Sequence, residues 1–478
     1  MTTPARRSIA WERLWIQRAR NRSPAALACH LSDGRWRRAR HLDYLDAILR
    51  DAIVKGGARI IIEWPPRHGK SHYLSKWTPA WFLNAWPSKN VILASNTADL
   101  ARKWGREVRN IIEANPTRLE VRLAADSTAA ADWNTSAGGG MLTKGVEGTI
   151  LGFGADLMVI DDPHRGQREA SSQTQRQAIW DWWVGEARHR LEPNASVVVL
   201  HQRLHEADFI GSLLAQDENP WQVITLRGLA EEDDPLGREV GEALWPDRFP
   251  VEALAELSRD IGSHAFEAQY QQRPMPAGGM VFRREHFRYF SERVSENHSA
   301  YVVGDRTIMA DSCWFAQTAD TASTTKTTSD WTVVETFAVT PENDLLLLDV
   351  ARVKLEVPDQ FAFLMAQRAR WPNLRWQAVE CKDSGIGLIQ LARRQGTPFR
   401  ELKPGTTDKV TRAWPLATMY ENAKVYHRAD APWLACFEAE LLSFPNGAHD
   451  DQVDPAAYMG LELAKARFVG KDGPLIFL

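Results

Sequence analysis

Four short runs of β-branched and other apolar residues constrain most strongly what this chain can fold into. They lie at residues 59–63, 90–94, 157–160 and 196–200, and each is followed by a segment long enough for a helix or a loop. Strands that are apolar on both faces and alternate with helical patterns are typical of a mostly parallel sheet with helices on both faces. The pattern therefore predicts an α/β domain, preceded by a helix over residues 41–55, where apolar side chains recur at helical spacing.

A second α/β unit with a different order of elements is predicted from about residue 300. Its predicted order is three strands, a helix, a strand and a helix, over residues 315–320, 331–339, 345–353, 359–370, 376–380 and 386–394. Two further helical stretches are expected to end near Ala466. Between the two units, residues 228–280 carry an acidic run, then several prolines, and favour a connector with some helix.

Composition excludes several classes of protein. The chain has 478 residues, 44% of them hydrophobic and 25% charged, which is too apolar for a mainly disordered protein. No apolar run approaches the roughly 20 residues that a membrane-spanning helix needs, and no apolar segment follows Arg6 and Arg7 as in a secretory signal. We therefore expect a cytoplasmic protein with no membrane contact.

Positive and negative charges nearly balance over the whole chain, but they are not evenly distributed along the sequence. The formal net charge is -3, so any polyanionic partner would have to be held locally. Residues 1–50 are rich in arginine and poor in acids. Such a segment fits a DNA-facing arm, a transit peptide or a solvated helix face, and the last of these is the commonest.

A candidate phosphate-binding loop follows the first predicted strand. Gly69, Lys70 and Ser71 stand between that strand and a helical pattern over residues 72–83. In a P-loop, backbone N–H groups cradle the phosphates, the lysine reaches the terminal phosphates and the serine hydroxyl binds Mg²⁺. Trp64 occupies the position of the usual first glycine, so an ordinary strand-to-helix turn is the alternative interpretation.

A pair of acids supports the nucleotide-site interpretation. The apolar run 157–160 ends in Asp161 and Asp162, as a strand does when it delivers a carboxylate to Mg²⁺. We expect Asp161 to hold the metal and Asp162 to orient or activate the attacking water. Arg67, within the loop, is a candidate for stabilising charge on the γ-phosphate. A helix cap or a solvated loop is the alternative for the two acids.

Scattered carboxylates in the second unit form a candidate metal site. Asp320 and Glu380 end predicted strands, Asp330 follows the first of them, and Asp450 and Asp451 precede the last helical stretch. Carboxylates gathered from strand ends and a late helix could hold two Mg²⁺ ions that clamp a phosphodiester. Each acid taken alone is more simply a solvated surface residue.

Seven separate motifs, in order, resemble the large subunit of the terminase of tailed double-stranded-DNA bacteriophages and prophages. The resemblance covers roughly residues 40–465, and the motifs lie at residues 65–71, 94–101, 145–164, 269–274, 318–322, 380–385 and 449–454. It implies a DNA-packaging motor in which a P-loop NTPase domain is followed by an RNase H-like α/β nuclease domain. The implied divisions are an N-terminal arm or lid (1–50), an ATPase domain (51–228), a connector (229–285), a nuclease domain (286–466) and a C-terminal tail (467–478).

The resemblance also implies roles for individual residues and partners. Arg67, His68, Gly69, Lys70 and Ser71 match the ATP-binding loop. The remaining matches are the acids: Asp161 for the metal-binding residue of the ATPase, Asp162 for its catalytic carboxylate, Asp320, Glu380 and Asp450 or Asp451 for the nuclease metal ligands, and Asp330 for an auxiliary acid. The implied cofactors are ATP and Mg²⁺, or Mn²⁺ at the nuclease site. The implied partners are double-stranded DNA, a small terminase subunit, the portal protein of a procapsid and further copies of the chain in a ring, inside a bacterial host cell.

One segment departs from the family pattern. The coupling segment of the family commonly reads Thr-Arg-Trp-His, whereas here it begins with Gln202, Arg203, Leu204 and His205. An amide can still hydrogen-bond a water or a phosphate. Two other functions stay open at this point: an ATP-dependent translocase or helicase whose second unit is an inactive relic, and a non-catalytic adaptor for capsid proteins.

Overall fold

The chain divides into two compact units. The computed structural model describes residues 22–126, 129–216, 220–274, 280–295, 299–321, 331–382, 384–403, 408–447 and 449–467. Within these, the first unit holds the residues up to 258 together with 264–274, and the second holds 259–263 and the residues from 280 onward. Most of the predicted connector thus belongs to the first unit. Among the described helices, none is long and apolar enough to cross a membrane.

The first unit is built on a seven-stranded sheet in the order β3-β4-β2-β5-β6-β1-β7. The strands are β1 (Arg59–Glu63), β2 (Asn90–Ser95), β3 (Asp132–Asn134), β4 (Gly140–Gly145), β5 (Ala155–Asp161), β6 (Leu191–His201) and β7 (Gln222–Thr225). All neighbouring pairs are parallel except β3 with β4. The prediction of a mostly parallel sheet is therefore confirmed.

Helices cover both faces of this sheet. In β1, Ile60 and Ile62 belong to one apolar core, whereas Ile61 between them belongs to another. The helices that lie wholly or mostly in the first unit are Pro24–Leu31, Arg40–Lys55, Thr78–Ala85, Ala98–Ala114, Gln167–Ser171, Gln173–Trp182, Phe209–Gln216, Val251–Ile261 and Ser263–Gln269. Trp104 packs in the first core and Trp182 in the second. Side chains of successive strand residues point to opposite faces, so both faces are buried as predicted.

The carboxyl ends of the central strands meet at one edge. β5, β6 and β1 are adjacent and parallel, so Asp161, His201 and Glu63 lie at the same end of the sheet. After β1, the chain enters a π-helical segment, His72–Trp77, that continues into the helix Thr78–Ala85. The helix predicted over residues 72–83 is therefore present, and it begins at the residue after Ser71.

The second unit contains a nine-stranded sheet in the order β10-β9-β8-β16-β13-β12-β11-β14-β15. The strands are β8 (Tyr289–Val294), β9 (Ser299–Val303), β10 (Arg306–Met309), β11 (Trp314–Asp320), β12 (Thr332–Val339), β13 (Leu345–Val353), β14 (Leu374–Glu380), β15 (Arg400–Leu402) and β16 (Val425–Arg428). Its helices are Val357–Ala369, Ser384–Arg394, Lys409–Glu421, Leu434–Ser443 and Val453–Arg467. The predicted order of three strands, helix, strand and helix is confirmed.

The sequence patterns missed the short elements of this unit. β8, β9, β10, β15 and β16 were not predicted, and three helices rather than two follow β15. Each missed strand has only three to six residues, too few to show a period that separates a strand from a loop. The central strands matter most for the site, because β11 pairs in parallel with β14 and brings Asp320 and Glu380 to one edge.

Candidate functional site

Lys70 lies at the centre of the first candidate site. Its side chain is 4% exposed, and its Nζ lies 2.6 Å from Gln202 Oε1, 3.3 Å from the Trp64 carbonyl oxygen and 3.4 Å from Asp162 Oδ1. Gly69 has a φ of 84°, a conformation that residues with a Cβ rarely adopt. The loop thus places a lysine ammonium group between the residue that follows β1 and Asp162, the residue that follows β5.

Asp161 has the surroundings of a metal ligand. Its Oδ1 accepts a hydrogen bond from Ser71 Oγ at 3.0 Å, and its Oδ2 accepts one from Ser75 Oγ at 2.7 Å. Burial, and then the neighbouring charge of Asp162, raises the pKa of Asp161. A carboxylate and a hydroxyl side by side in a buried place are oxygen ligands of the kind that Mg²⁺ uses.

Asp162 differs from its neighbour in its electrostatics. Its Oδ1 lies 3.1 Å from His201 Nδ1 and 3.4 Å from Lys70 Nζ. Burial opposes ionisation of the carboxyl group, but Lys70 and His201 outweigh burial and lower its pKa. The left-handed φ of 46° at Asp162 is an uncommon conformation for a residue with a side chain. The arrangement keeps Asp162 ionised as a hydrogen-bond acceptor.

The loop residues before Lys70 have contrasting environments. Arg67 is exposed and has a φ of 63°. His68 is buried, its Nδ1 lies 2.8 Å from the Pro66 carbonyl oxygen, and its ring stacks on Phe249 at 4.9 Å between centroids. Burial lowers the pKa of His68 to about 4, so the ring is neutral near pH 7. Only the backbone of His68 is therefore available to a nucleotide, whereas the Arg67 side chain is accessible.

The segment after β6 contains a buried ion-pair cluster that the sequence did not reveal. Arg203 Nη1 lies 3.1 Å from Glu63 Oε1, and Arg203 Nε lies 3.1 Å from Asp208 Oδ2. Thr225 in β7 donates a hydrogen bond to Glu63 Oε2 at 2.7 Å. The sequence could have indicated this cluster only through the position of its residues. Residues at the ends of neighbouring parallel strands, here β1 and β6, lie at the same edge of the sheet.

A second candidate site lies at the ends of β11 and β14. Tyr458 Oη donates a hydrogen bond to Glu380 Oε1 at 2.7 Å. The pKa of Asp320 is raised well above its usual range by burial, by the charges of Glu380 and Asp454, and by a hydrogen bond with Glu380. Asp320 and Glu380, both predicted as ligands, are therefore brought together by the parallel pairing of their strands.

Asp454 is the member of this cluster that sequence reasoning missed. Its Oδ1 lies 3.1 Å from Arg412 Nη2 and its Oδ2 lies 2.9 Å from Lys409 Nζ. Asp454 lies in the first turn of the helix Val453–Arg467, four residues before Tyr458, so the two share one helix face. That spacing, together with the motif at residues 449–454, could have identified it.

The other predicted ligands occupy different places. Asp450 Oδ2 lies 2.8 Å from Lys409 Nζ, so this lysine joins Asp450 to Asp454. Asp451 lies beside Arg352 at 3.8 Å and His449 at 3.6 Å. Asp330 lies outside the described residues.

The donor chemistry of the second site fits a hard cation. Asp320 and Glu380 converge with Asp454, and Lys409 and Arg412 are the cations beside them. No group of three or more His, Cys, Asp or Glu side chains in the described part of the chain is already spaced to hold a metal ion. In this arrangement Lys409 Nζ pairs with Asp450 and Asp454, at 2.8 and 2.9 Å, and so neutralises part of the acidic charge.

Two family models match the chain. The N-terminal model of "Terminase large subunit, T4likevirus-type" matches residues 61–248, and "Terminase RNaseH-like domain" matches residues 317–461. The two matches follow each other in the predicted order and cover the two sites described above. They confirm the predicted combination of an ATPase domain with an RNase H-like domain. No curated protein matches the chain.

Solved structures of phage terminases are also similar to the chain. The large terminase of a thermophilic bacteriophage is 12% identical, with 86% of this chain and 95% of that chain covered and a TM-score of 0.49. The large terminase of bacteriophage HK97 is 12% identical, with 88% and 95% covered and a TM-score of 0.35. The large terminase nuclease of the thermophilic phage G20c with bound magnesium is 17% identical, with 39% and 99% covered and a TM-score of 0.30.

Proposed function

Because the chain belongs to the family of terminase large subunits, we propose that it moves double-stranded viral DNA into a procapsid at the expense of ATP and cuts concatemeric DNA. The observation that carries the proposal is the presence of two separate sites in one chain. In the first, Lys70 meets Asp162 and Ser71 meets Asp161. In the second, Asp320 meets Glu380.

The first site would bind ATP and Mg²⁺. Backbone N–H groups from Gly69 to Ser71, at the start of the helical segment, would hold the phosphates, and Lys70 would turn from its present partners to the terminal phosphates. Ser71 Oγ and Asp161 would hold the metal ion, which neutralises phosphate charge when bound. Two of the similar solved structures, both of a large terminase from a thermophilic bacteriophage, are complexes with ATP-gamma-S and with ADP.

Hydrolysis would rely on the groups around the γ-phosphate. Asp162, kept ionised, would orient the attacking water and accept its proton. Arg67, which is exposed in the loop, would stabilise the charge that develops on the phosphoryl oxygens. Release of Lys70 from Gln202 on nucleotide binding would pass the state of the site to the segment that follows β6.

The second site would cleave phosphodiesters with Mg²⁺ or Mn²⁺. Asp320, Glu380 and Asp454 would hold the metal, with Asp450 as a further acid within reach of Lys409. The metal, when bound, polarises a phosphoryl oxygen and activates water. Tyr458 would orient Glu380 through its hydrogen bond. Oxygen ligands suit both metal ions.

Partners beyond DNA follow from the role of a packaging motor. We propose a small terminase subunit that presents the DNA, a portal protein on the procapsid and a ring of copies of this chain at the portal, all in the cytoplasm of a bacterial host. A near-neutral chain suits a transient hold on DNA, since few phosphate contacts give weak, salt-sensitive binding.

Two assays with two variants test the proposed function. Plasmid linearisation with Mg²⁺ or Mn²⁺ is measured for the intact chain and for Asp320→Ala, and ATP hydrolysis is measured for the intact chain and for Lys70→Ala. We expect cutting to be lost in the first variant and hydrolysis in the second, each without loss of the other activity. ATP hydrolysis by an intact chain that never cuts DNA would favour the translocase with an inactive nuclease fold, and absence of both activities would favour the adaptor.

A further inference from the structure

We infer that His201 is a positioning residue for Asp162, fixing the carboxylate in the orientation that water activation needs. The inference rests on the proposed ATPase function. It adds a residue at the strand end before the coupling segment, outside the P-loop and outside the acids that follow β5. The evidence is how the main chain and the side chain of Asp162 are held.

The main chain of Asp162 is fixed by β6 and by Asn96, the residue that follows β2. Its N–H donates to the Leu200 carbonyl oxygen at 2.8 Å, and its own carbonyl oxygen accepts a hydrogen bond from Asn96 Nδ2 at 2.9 Å. β5 and β6 pair in parallel up to Asp161 and Leu200. The next residues along each strand, Asp162 and His201, therefore emerge side by side at the edge of the sheet.

The side chain of Asp162 has two partners on one oxygen. Lys70 Nζ and His201 Nδ1 both contact Oδ1, at 3.4 and 3.1 Å. Lys70 is the residue that would move to the phosphates when a nucleotide binds, so its contact with Asp162 would be weakened in the reactive state. His201 would then be the partner that still fixes the carboxylate.

The imidazole of His201 is suited to this one contact. The side chain is fully buried, and Nδ1 to Asp162 is its single hydrogen bond among the described residues, since Nε2 has no partner. Because an ionised Asp162 can only accept a hydrogen bond, the imidazole of His201 must carry its proton on Nδ1. A buried polar group with an unsatisfied nitrogen costs free energy, and the preceding positions in β6 are filled by valine and leucine. Packing alone would therefore favour an apolar residue at position 201. His164, whose ring lies 5.5 Å away between centroids, limits movement of the His201 ring.

Three substitutions in the full chain separate positioning from packing. The amide nitrogen of asparagine occupies the place of Nδ1, whereas that of glutamine occupies the place of Nε2. Glutamine is closer to histidine in volume. If the Nδ1 donor matters, His201→Asn retains more activity than His201→Gln; if only filled volume matters, the order is reversed.

We expect the kcat of ATP hydrolysis to fall about 10- to 100-fold in His201→Ala and His201→Gln, the range for loss of an orienting partner. His201→Asn should recover most of that loss. The KM for ATP should change little in all three, because the contact orients a catalytic group and does not bind substrate. Thermal unfolding of each variant, followed by circular dichroism, reports any loss of folded protein.

The outcomes separate the inference from the function on which it rests. An intact chain that does not hydrolyse ATP contradicts the proposed function itself. If the intact chain hydrolyses ATP and Lys70→Ala does not, but His201→Gln is as active as or more active than His201→Asn, the positioning role is wrong. A rise in KM without a fall in kcat would also overturn it.

Discussion

The amide oxygen of Gln202 accepts a hydrogen bond from Lys70 Nζ at 2.6 Å. This contact joins the phosphate-binding loop directly to the segment after β6. In the family pattern a threonine commonly stands where Gln202 stands here, and a hydroxyl on a shorter side chain could not reach as far. The longer amide of Gln202 therefore connects the candidate nucleotide site to the segment that follows β6.

A carboxylate in place of this amide should hold Lys70 away from the nucleotide. In Gln202→Glu, a negative charge would lie at ion-pair distance from Lys70 and would repel the phosphates. We expect the KM for ATP to rise about tenfold, which corresponds to about 1.4 kcal/mol of lost binding, as measured by steady-state hydrolysis. Gln202→Ala, which removes the contact without adding charge, is the control, and an equal rise in both variants would contradict the electrostatic explanation.

Removal of the Asp454 charge should greatly slow DNA cutting. Asp454 is one of the two acids whose charges act on Asp320, whereas Asp451 lies beside Arg352 and His449. We expect Asp454→Asn to slow metal-dependent plasmid linearisation by about 100-fold or more, with ATP hydrolysis unchanged. Asp451→Asn, in the same motif, is the matched control. A greater loss of DNA cutting in Asp451→Asn than in Asp454→Asn would identify Asp451, and not Asp454, as the metal ligand.

Loss of the buried guanidinium at Arg203 should destabilise the first unit. Arg203→Ala leaves Glu63 and Asp208 buried without a counter-charge, which typically costs about 3 to 5 kcal/mol. Arg273→Ala is the matched control, because that side chain is half exposed and its ion pairs with glutamates at positions 231 and 267 are worth at most about 1 kcal/mol. Urea unfolding of the full chain measures both. Equal losses would show that the buried cluster contributes no more than a surface pair.

A buried acid in β12 should make the second unit less stable as the pH rises. Glu335 is fully buried, neither of its carboxyl oxygens has a hydrogen-bond partner among the described residues, and burial raises its pKa well above its usual range. At a pH above 4.5, the ordinary pKa of a glutamate, Glu335 loses its carboxyl proton in the unfolded chain but retains it in the folded chain. The contribution of Glu335 to stability is therefore greatest at low pH and falls with increasing pH, by at most about 1.4 kcal/mol per pH unit.

Glu335→Gln removes this titration and keeps the shape of the side chain. We expect thermal unfolding of the variant to match that of the original chain near pH 4.5 and to occur at higher temperature at pH 8. An unchanged difference between the two proteins across that range would mean that Glu335 does not titrate as its burial predicts.

Much of the fold was predictable, for reasons visible in particular elements. β1, β5 and residues 195–201 of β6 are largely buried, and each contains a continuous apolar run, which is typical of a strand in a parallel sheet with both faces covered. β15 and β16 gain their conformation from pairing with neighbours, and three or four residues carry no pattern of their own. The candidate ligands Asp320 and Glu380 were predictable because each is the last residue of a predicted strand.

The order of the elements and the type of chemistry at the strand ends can be inferred from local sequence, since apolar periodicity and the spacing of glycine, lysine and acids are local properties. Which side chains meet depends on how the distant elements pack. The contacts of His201 with Asp162, of Gln202 with Lys70 and of Asp454 with Lys409 join residues 39, 132 and 45 positions apart in the chain. Parallel pairing and helix packing set such contacts, and neither is encoded in any single stretch of sequence.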